Sequence, residues 1–137
     1  MSVQNQVFIR SLEAPDVSAI LEIIRACRRE YGLEGRVRSI LETSDYAIFD
    51  LYQQHRSNYF VAIAGGDVVG GAGIAPLADG HRETCELQRM YLRPANRGLG
   101  TGRLLLAACI QSAHRFKFER CYLETISEMT AAVAFYR

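Results

Sequence analysis

The sequence predicts a single α/β domain whose sheet has strands of mixed direction. Three observations predict it. The chain has 137 residues, which suits one domain over residues 1–137 with a sizeable core. Short apolar segments typical of strands are interleaved with segments of helical periodicity, in the order β-α-(α)-β-β-β-α-β-α. A glycine-rich loop joins one strand directly to a helix.

The N-terminal half supplies the first strands and helices. Apolar residues recur at helical spacing from Val17 to Tyr31, and Gly32 ends the pattern. Gly65, Gly66 and Asp67 separate two β-rich segments and suit a tight turn. The expected elements are a strand over 7–12, a helix from about 16 to 31, a short helix near 48–52, and a hairpin of strands 59–64 and 68–74.

The C-terminal half continues with a strand over 84–92, a helix from Thr101 to about Phe116, a strand over 120–126 and a helix over 129–137. The printed sequence ends inside this last expected helix. We therefore expect that a C-terminal segment follows residue 137 in the natural protein.

Composition and charge exclude several classes of function. Apolar residues make up 49% and charged residues 23%, and the net charge of +1 gives no electrostatic reason to expect a nucleic acid or an anionic membrane as partner. No apolar run approaches the ~18 residues of a membrane span, and the N-terminus lacks the layout of a secretory signal. We expect a cytoplasmic protein. The four scattered cysteines predict buried, reduced thiols and no metal site.

The glycine-rich loop carries the chemistry. Gly98, Gly100 and Gly102 alternate where a strand ends and a helix begins, so the backbone can approach a bulky ligand. The free N–H groups of the first helical turn form an anion site, and Arg97 and Arg103 flank it. A P-loop would need a lysine after its glycine, and the dinucleotide fingerprint would need glycine where Leu105 stands. A turn that merely joins strand to helix is the alternative.

The remaining pattern, Arg-x-x-Gly-x-Gly, closely resembles that of the GNAT superfamily of acetyl-CoA-dependent N-acetyltransferases. The preceding strand, ELQRMYLRP, and the later segment LETISEMTAAVAFYR are similar to conserved blocks of that family. The resemblance implies a mixed, mostly antiparallel twisted sheet flanked by helices, with C-terminal strands missing from the printed chain. It also implies acetyl-CoA as cosubstrate, a primary amine of a small molecule, amino acid or protein as acceptor, and a homodimer.

The resemblance assigns roles to individual residues. The pantetheine arm of the cofactor would pair with the backbone of Met90, Tyr91 and Leu92. The pyrophosphate would lie on the loop and first-turn amides, which belong to Gly98, Leu99, Gly100, Thr101, Gly102 and Arg103. Glu86 matches a position that the family often uses as general base, and Tyr136 matches the tyrosine that serves as general acid.

Other readings of these residues stay open. Glu86 could be a solvated carboxylate or a partner of Arg89, and Tyr136 could be a buried anchor for its helix. Alternative bases are Glu83, Glu124 and His81. We interpret segment 25–30 as a solvated helix face, and His55 and His114 as surface or hydrogen-bonded histidines that ligate no metal. Tyr46, Phe49 and Tyr52 have helical spacing and fit either the acceptor pocket or the core. An acyl-CoA sensor or scaffold without turnover is the alternative function.

Overall fold

The computed structural model describes residues 6–30, 47–77, 82–124 and 130–134, with side chains up to Tyr122. Six strands form one sheet in the order β1 to β6. They are β1 (Val7–Ser11), β2 (Asn58–Ala64), β3 (Asp67–Pro76), β4 (Thr84–Leu92), β5 (Arg120–Glu124) and β6 (Thr130–Ala134). The helices are α1 (Val17–Glu30), α2 (Ala47–Leu51) and α3 (Thr101–Arg115).

The sheet has mixed strand direction and is mostly antiparallel, as the sequence predicts. Strands β1 to β4 pair antiparallel with their neighbours, and β6 pairs antiparallel with β5. Among the described strands, the pair β4 and β5 is the one that runs parallel, and helix α3 forms the crossover between them. Such a crossover places the start of its helix at the end of the first parallel strand. The start of α3 therefore lies where β4 ends.

A short capped turn leads into α1. Ala14–Asp16 form one turn of 3-10 helix, and the Asp16 carboxylate accepts a hydrogen bond from the Glu13 amide at 2.8 Å. The same carboxylate accepts two bonds from the Arg10 guanidinium, at 2.7 and 3.0 Å. These bonds to Arg10 hold the pKa of Asp16 below its usual value. A capping box and the ion pair between Arg10 and Asp16 thus fix the start of α1.

The helices cover both faces of the sheet. Helices α1 and α2 pack with Tyr59 and Val61 of β2 in one buried cluster. Helix α3 packs on the opposite face with a second cluster, which includes Cys85 of β4 and Cys121 of β5. All four cysteines are buried, as the sequence predicts, and none of them forms a disulfide. No helix among the described residues is long and apolar enough to cross a membrane.

The prediction of a helix over 129–137 is wrong for 130–134, the part of it that the structure describes. Residues 130–134 form strand β6 instead of a helix. β5 pairs parallel with β4 on one side only, so its other edge would carry unpaired backbone groups. Strand β6 pairs with that edge, from Arg120↔Ala134 to Glu124↔Thr130. A tertiary requirement thus overrides the helical preference of an alanine-rich segment. Positions 129 and 135–137 lie outside the described residues.

Candidate functional site

Strand β4 leaves its parallel neighbour halfway along its length. Thr84 to Leu87 pair with Arg120 to Leu123, and the described part of the chain places no partner strand beside residues 88–92 on that edge. On its other edge β4 stays paired with β3 as far as Leu92. The second half of β4 therefore offers an open row of backbone donors and acceptors. An extended ligand rich in amides can add to such an edge as an extra strand.

A bulge at Arg89 sets the direction of the side chains along β4. The pairing with β3 shifts between Gly71 and Gly73, and Arg89 has a φ of 50°. Cys85 and Leu87 face α3, so strict alternation would send Met90 to the opposite face. The extra residue resets the alternation, and Met90 and Leu92 pack on the α3 face. A non-glycine residue with positive φ is strained and persists only where its surroundings hold it.

Two tyrosines on the α1 face contact this bulge. The Tyr59 hydroxyl donates to the Arg89 carbonyl at 2.7 Å, and the Tyr59 side chain is 1% exposed. The Tyr59 and Tyr52 rings lie directly over Gly71 and Gly73, where an added Cβ would come within 2.5 to 2.8 Å of ring atoms. The glycines of β3 therefore make room for the tyrosines, and the tyrosines fix the bulge.

A chain of polar groups runs along the α1 face of β4. The Glu86 carboxylate accepts from the Gln88 amide at 3.0 Å, and the Gln88 Oε1 accepts from the Tyr52 hydroxyl at 2.6 Å. Arg89 Nη1 donates to the Tyr52 hydroxyl at 2.6 Å and to Gln88 Oε1 at 3.3 Å. Burial raises the pKa of Tyr52 to about 12, so its hydroxyl keeps its proton. We call these four residues the polar cluster.

The start of α3 has the form expected of an anion site. Gly98 and Gly100 have φ values of 75° and 91°, and an added Cβ at either would meet nothing within 4 Å. Gly100 is the N-cap and makes no side-chain cap, so the first-turn amides of residues 101–103 are left without one. Gly98, Leu99, Gly100 and Arg103 are exposed. The loop therefore presents backbone N–H groups at the positive end of a helix dipole.

Gly102 differs from the two loop glycines. An added Cβ there would lie 3.4 Å from Met90 Cε and 3.5 Å from Leu92 Cδ1, which is close to ordinary van der Waals contact. It points at the side chains of β4 and not at open space. Next to it, Thr101 is 1% exposed and its Oγ1 has no hydrogen-bond partner. The start of α3 is thus packed on the open half of β4.

The guanidinium of Arg97 is held by protein groups. It pairs with both carboxylate oxygens of Glu30 at 2.8 Å and donates to the Leu92 carbonyl at 2.9 and 3.2 Å. Arg97 Nη2 also lies 3.4 Å from the Cys27 sulfur. The predicted bond from Arg97 to phosphate would require it to leave these groups. In this structure Arg97 ties the glycine loop to the end of α1 and the end of β4.

Arg28 corrects the interpretation of segment 25–30 as a solvated face. The Arg28 side chain is 4% exposed, its Nε donates to the Tyr91 hydroxyl at 3.1 Å, and its guanidinium lies 5.5 Å from the centre of the Tyr91 ring. Arg28 stands seven residues after Leu21 and four after Ile24, so it belongs to the apolar stripe. That spacing is the signal that the sequence reasoning missed.

The remaining predicted site residues divide into two groups. Glu83 is exposed, and its carbonyl accepts the amides of Glu119 and Arg120 at the start of β5. Tyr136, Tyr46 and His81 lie outside the described residues, as does the side chain of Glu124. Of the described candidates for the base, Glu86 is the one that the structure joins to the polar cluster. No group of His, Cys, Asp or Glu among the described residues could hold a metal ion.

Sequence reasoning did not single out Gln88, Arg89 or Tyr59 as site residues. It left Tyr52 between pocket and core, and the structure buries the residue in the core at 3% exposure, with its hydroxyl bonded into the polar cluster. Its partner Phe49 packs at the edge of the same core. The alternation of Glu86 and Gln88 with apolar residues in β4 was the available signal for a polar face.

Comparison with known proteins agrees with this geometry. Residues 18–137 match the acetyltransferase (GNAT) family. An uncharacterised N-acetyltransferase of Escherichia coli (strain K12), YjgM, is 37% identical over 129 residues, which cover 93% of this chain and 77% of that protein. An acetyltransferase of the GNAT family from Staphylococcus aureus Mu50 has a similar fold, with a TM-score of 0.75, 19% identity and coverage of 88% of this chain and 73% of that one.

A second solved structure shares more of the sequence. The yncA protein of Salmonella typhimurium, solved with its cofactor acetyl-CoA, gives a TM-score of 0.65 at 26% identity, with coverage of 87% of this chain and 69% of that one. The family match and the YjgM relative extend well into the N-terminal half. The loop and the strand before it had carried the resemblance in the sequence.

Proposed function

Because the chain belongs to the GNAT family of acetyltransferases and is an N-acetyltransferase that uses acetyl-CoA, we propose that it acetylates a primary amine by direct attack in a ternary complex. The acceptor is a small molecule, an amino acid or a peptide amine. The observation that carries the proposal is the position of the uncapped start of α3 beside the open half of β4. A cytoplasmic location and a homodimer belong to the same proposal.

Acetyl-CoA has two parts that fit these two features. Its pantetheine arm carries amides that can pair with the backbone of Met90, Tyr91 and Leu92, where β4 has no strand beside it in the described chain. Its pyrophosphate is an anion suited to the amides from Gly98 to Arg103. The loop is open at Gly98 and Gly100, so phosphate oxygens can approach its backbone. The protein provides these contacts mainly through its main chain.

The transfer requires the nitrogen to lose two protons, one before and one after attack, and the sulfur to gain one. An alkylammonium has a pKa of ~10.4, so the amine must lose a proton before its lone pair attacks the thioester carbonyl. We assign that proton to Glu86, directly or through one water. The new C–N bond forms as the C–S bond breaks, and the departing thiolate takes a proton from Tyr136. The second proton of the nitrogen then passes to the Tyr136 phenolate, directly or through water, which leaves the neutral amide and the free thiol. Each such positioned acid or base contributes about 10²- to 10⁴-fold in rate.

The polar cluster supports Glu86 as the base. Gln88 holds the carboxylate from one side, and Gln88 is itself held by Tyr52 and Arg89. Glu86 pairs with Tyr122 near the end of the β4–β5 ladder, one residue before the strands separate. A carboxylate at this point lies next to the edge that would hold the pantetheine arm. Glu83, by contrast, is exposed at the start of β4.

An assay of thiol release against a panel of amines tests the proposal. Glu86→Gln lowers the rate most below the pKa of the amine, where a base is needed, and Glu119→Gln, an exposed carboxylate outside β4, is the matched control. A pH profile of Glu86→Gln that overlays that of wild type removes Glu86 as the base. Tyr136→Phe lowers turnover more than CoA affinity; an undiminished rate removes Tyr136 as the acid.

A sensor or scaffold is the second candidate function, since the glycine loop supports cofactor binding in either case. Such a protein binds CoA and releases no thiol with any amine. Isothermal titration with CoA and the thiol assay therefore separate the two. A larger thermal shift with ATP or NAD than with CoA contradicts both and indicates a nucleotide site.

A further inference from the structure

Two buried guanidinium nitrogens near the α1 face of β4 have no hydrogen-bond partner among the described residues. They are Arg28 Nη1 and Arg89 Nε. Within the described part of the chain, the hydrogen bonds of these two arginines go to neutral groups: the Tyr91 hydroxyl for Arg28, and Tyr52 and Gln88 for Arg89. An arginine side chain cannot lose its charge in a protein, and a buried charge is normally paired. No described carboxylate pairs directly with either guanidinium.

Arg89 is better placed than Arg28 to bind an anionic ligand. Its Nη1 is used by Tyr52 and Gln88, whereas its Nε has no partner and no described residue bonds to its Nη2. Nε and Nη2 form the edge of a guanidinium that takes a carboxylate with two parallel hydrogen bonds. Nε is shielded from solvent whereas Nη2 is not, and the residue as a whole is half-buried, so an anion would approach this edge from the Nη2 side.

The polar cluster sets a negative and a positive group a short distance apart. The Gln88 amide accepts from Arg89 through its oxygen and donates to Glu86 through its nitrogen. One side-chain amide thus separates the Glu86 carboxylate from the Arg89 guanidinium. A molecule with an ammonium and a carboxylate a few bonds apart matches that pair in sign and order. A simple alkylamine matches only half of it.

We propose that Arg89 binds a carboxylate of the acceptor, and that the acceptor is therefore an amino acid or another small amine bearing a carboxylate. Arg28 adds positive potential from the other side of Tyr91. The inference rests on the proposed acetyl transfer and narrows its substrate class. It makes Arg89 a binding residue for the acceptor and leaves proton transfer with Glu86.

Matched pairs of amines test the proposal on the wild-type protein. Each amino acid is compared with its α-amide, which keeps the side chain and the amine but loses the negative charge. Neutralising the carboxylate lowers the pKa of the amine and so favours the amide as nucleophile. A higher kcat/KM for the acid therefore reports binding of the carboxylate. We expect the best acid to exceed its amide by roughly ten- to a hundredfold. Equal or reversed values overturn the proposal.

Substitution of Arg89 then assigns the preference to a residue. Arg89→Gln lowers kcat/KM for the acid to about that for the amide, and Arg89→Lys retains part of the preference. Arg115→Gln removes the same charge from an exposed position at the far end of α3 and leaves the ratio unchanged. The CoA dissociation constant of each variant shows that it is folded. A folded Arg89→Gln that keeps the wild-type ratio contradicts the role of Arg89.

A binding measurement keeps this inference separate from the proposed function. Isothermal titration of acids and amides into the CoA-saturated protein reports carboxylate recognition without turnover. If no amine releases CoA but acids bind more tightly than amides, acetyl transfer fails and the anion site stands. If amines are acetylated without regard to charge, the anion site fails and acetyl transfer stands.

Discussion

Gly100→Ala and Gly102→Ala should have opposite effects on the free energy of unfolding. Comparing the two variants should also separate an effect on folding from an effect on CoA binding. Gly100 has a φ of 91° and open space around its Cβ position. Gly102 lies inside α3 with a Cβ position in near-ordinary contact with Met90 and Leu92. The sequence treats the two positions alike, as members of one loop. The structure makes only the first of them depend on glycine.

The expected magnitudes follow from these geometries. An L residue in the left-handed region costs roughly 1–2 kcal/mol, so Gly100→Ala lowers the free energy of unfolding by about that amount. Glycine inside a helix destabilises a protein by about 0.5–1 kcal/mol relative to alanine, so Gly102→Ala raises the free energy of unfolding by up to that amount. If Gly100→Ala turns the loop amides away and one charge-assisted hydrogen bond is lost, CoA affinity falls roughly ten- to a hundredfold. Gly102→Ala leaves the affinity for CoA within about threefold of the wild-type value.

Urea unfolding gives the stabilities, and isothermal titration with CoA gives the affinities. Leu99→Ala is the control: Leu99 is 71% exposed, and its contribution to an anion site would come from its backbone. We expect wild-type affinity from it. If Gly100→Ala binds CoA as wild type does, the backbone amides around Gly100 do not bind the pyrophosphate. If Gly102→Ala binds much more weakly, the ligand passes between α3 and β4, contrary to the packing at Met90.

Three further outcomes can be measured. Tyr59→Phe leaves the Arg89 carbonyl without its partner, so the free energy of unfolding should fall by about 1–3 kcal/mol, and an unchanged urea midpoint would show that the bulge is held by other contacts. Asp16→Asn should cost about 1 kcal/mol at neutral pH, because Arg10 is 40% exposed and screened. Since the pKa of Asp16 is lowered in the folded state, its stabilisation is present above the unfolded pKa of ~3.9 and is lost as pH falls through the folded value. A difference in the free energy of unfolding between wild type and mutant that does not narrow as pH falls below ~3.9 would contradict this. The four buried thiols should react with Ellman's reagent only as the protein unfolds, and fast reaction in buffer would contradict their burial.

Much of the fold could be predicted from local patterns. The bounds of β4 were predicted correctly, because Leu92 is followed by Arg93 and Pro94, which end the strand. The helix from Thr101 was predicted because three glycines and then an apolar periodicity mark its start. Both features depend on residues adjacent in sequence. The strand at 130–134 depends on the free edge of β5, so local preference could not find it.

Of the candidate site, the geometry of the glycine loop could be predicted from the sequence, whereas that of the polar cluster could not. The glycine loop is one continuous segment, and its backbone chemistry can be read from its composition. The polar cluster joins Tyr52, which follows α2, to β4 through hydrogen bonds that no sequence spacing encodes. The positive φ of Arg89 is likewise invisible in sequence, since arginine has no preference for it.

The bulge at Arg89 places the side chains of the two proposed sites on opposite faces of one strand. Without it, Met90 would point to the α1 face, into the region of Tyr59, and the side chains that support the start of α3 would be lost. With it, Glu86 and Gln88 remain on the α1 face while Met90 and Leu92 support α3. The proposed acceptor site and the proposed cofactor site then lie on opposite faces of β4 and meet at its open edge. A change that straightens β4 should therefore weaken both sites at once, whereas substitution of Arg89 by glutamine, which keeps the bulge carbonyl, should affect the acceptor alone.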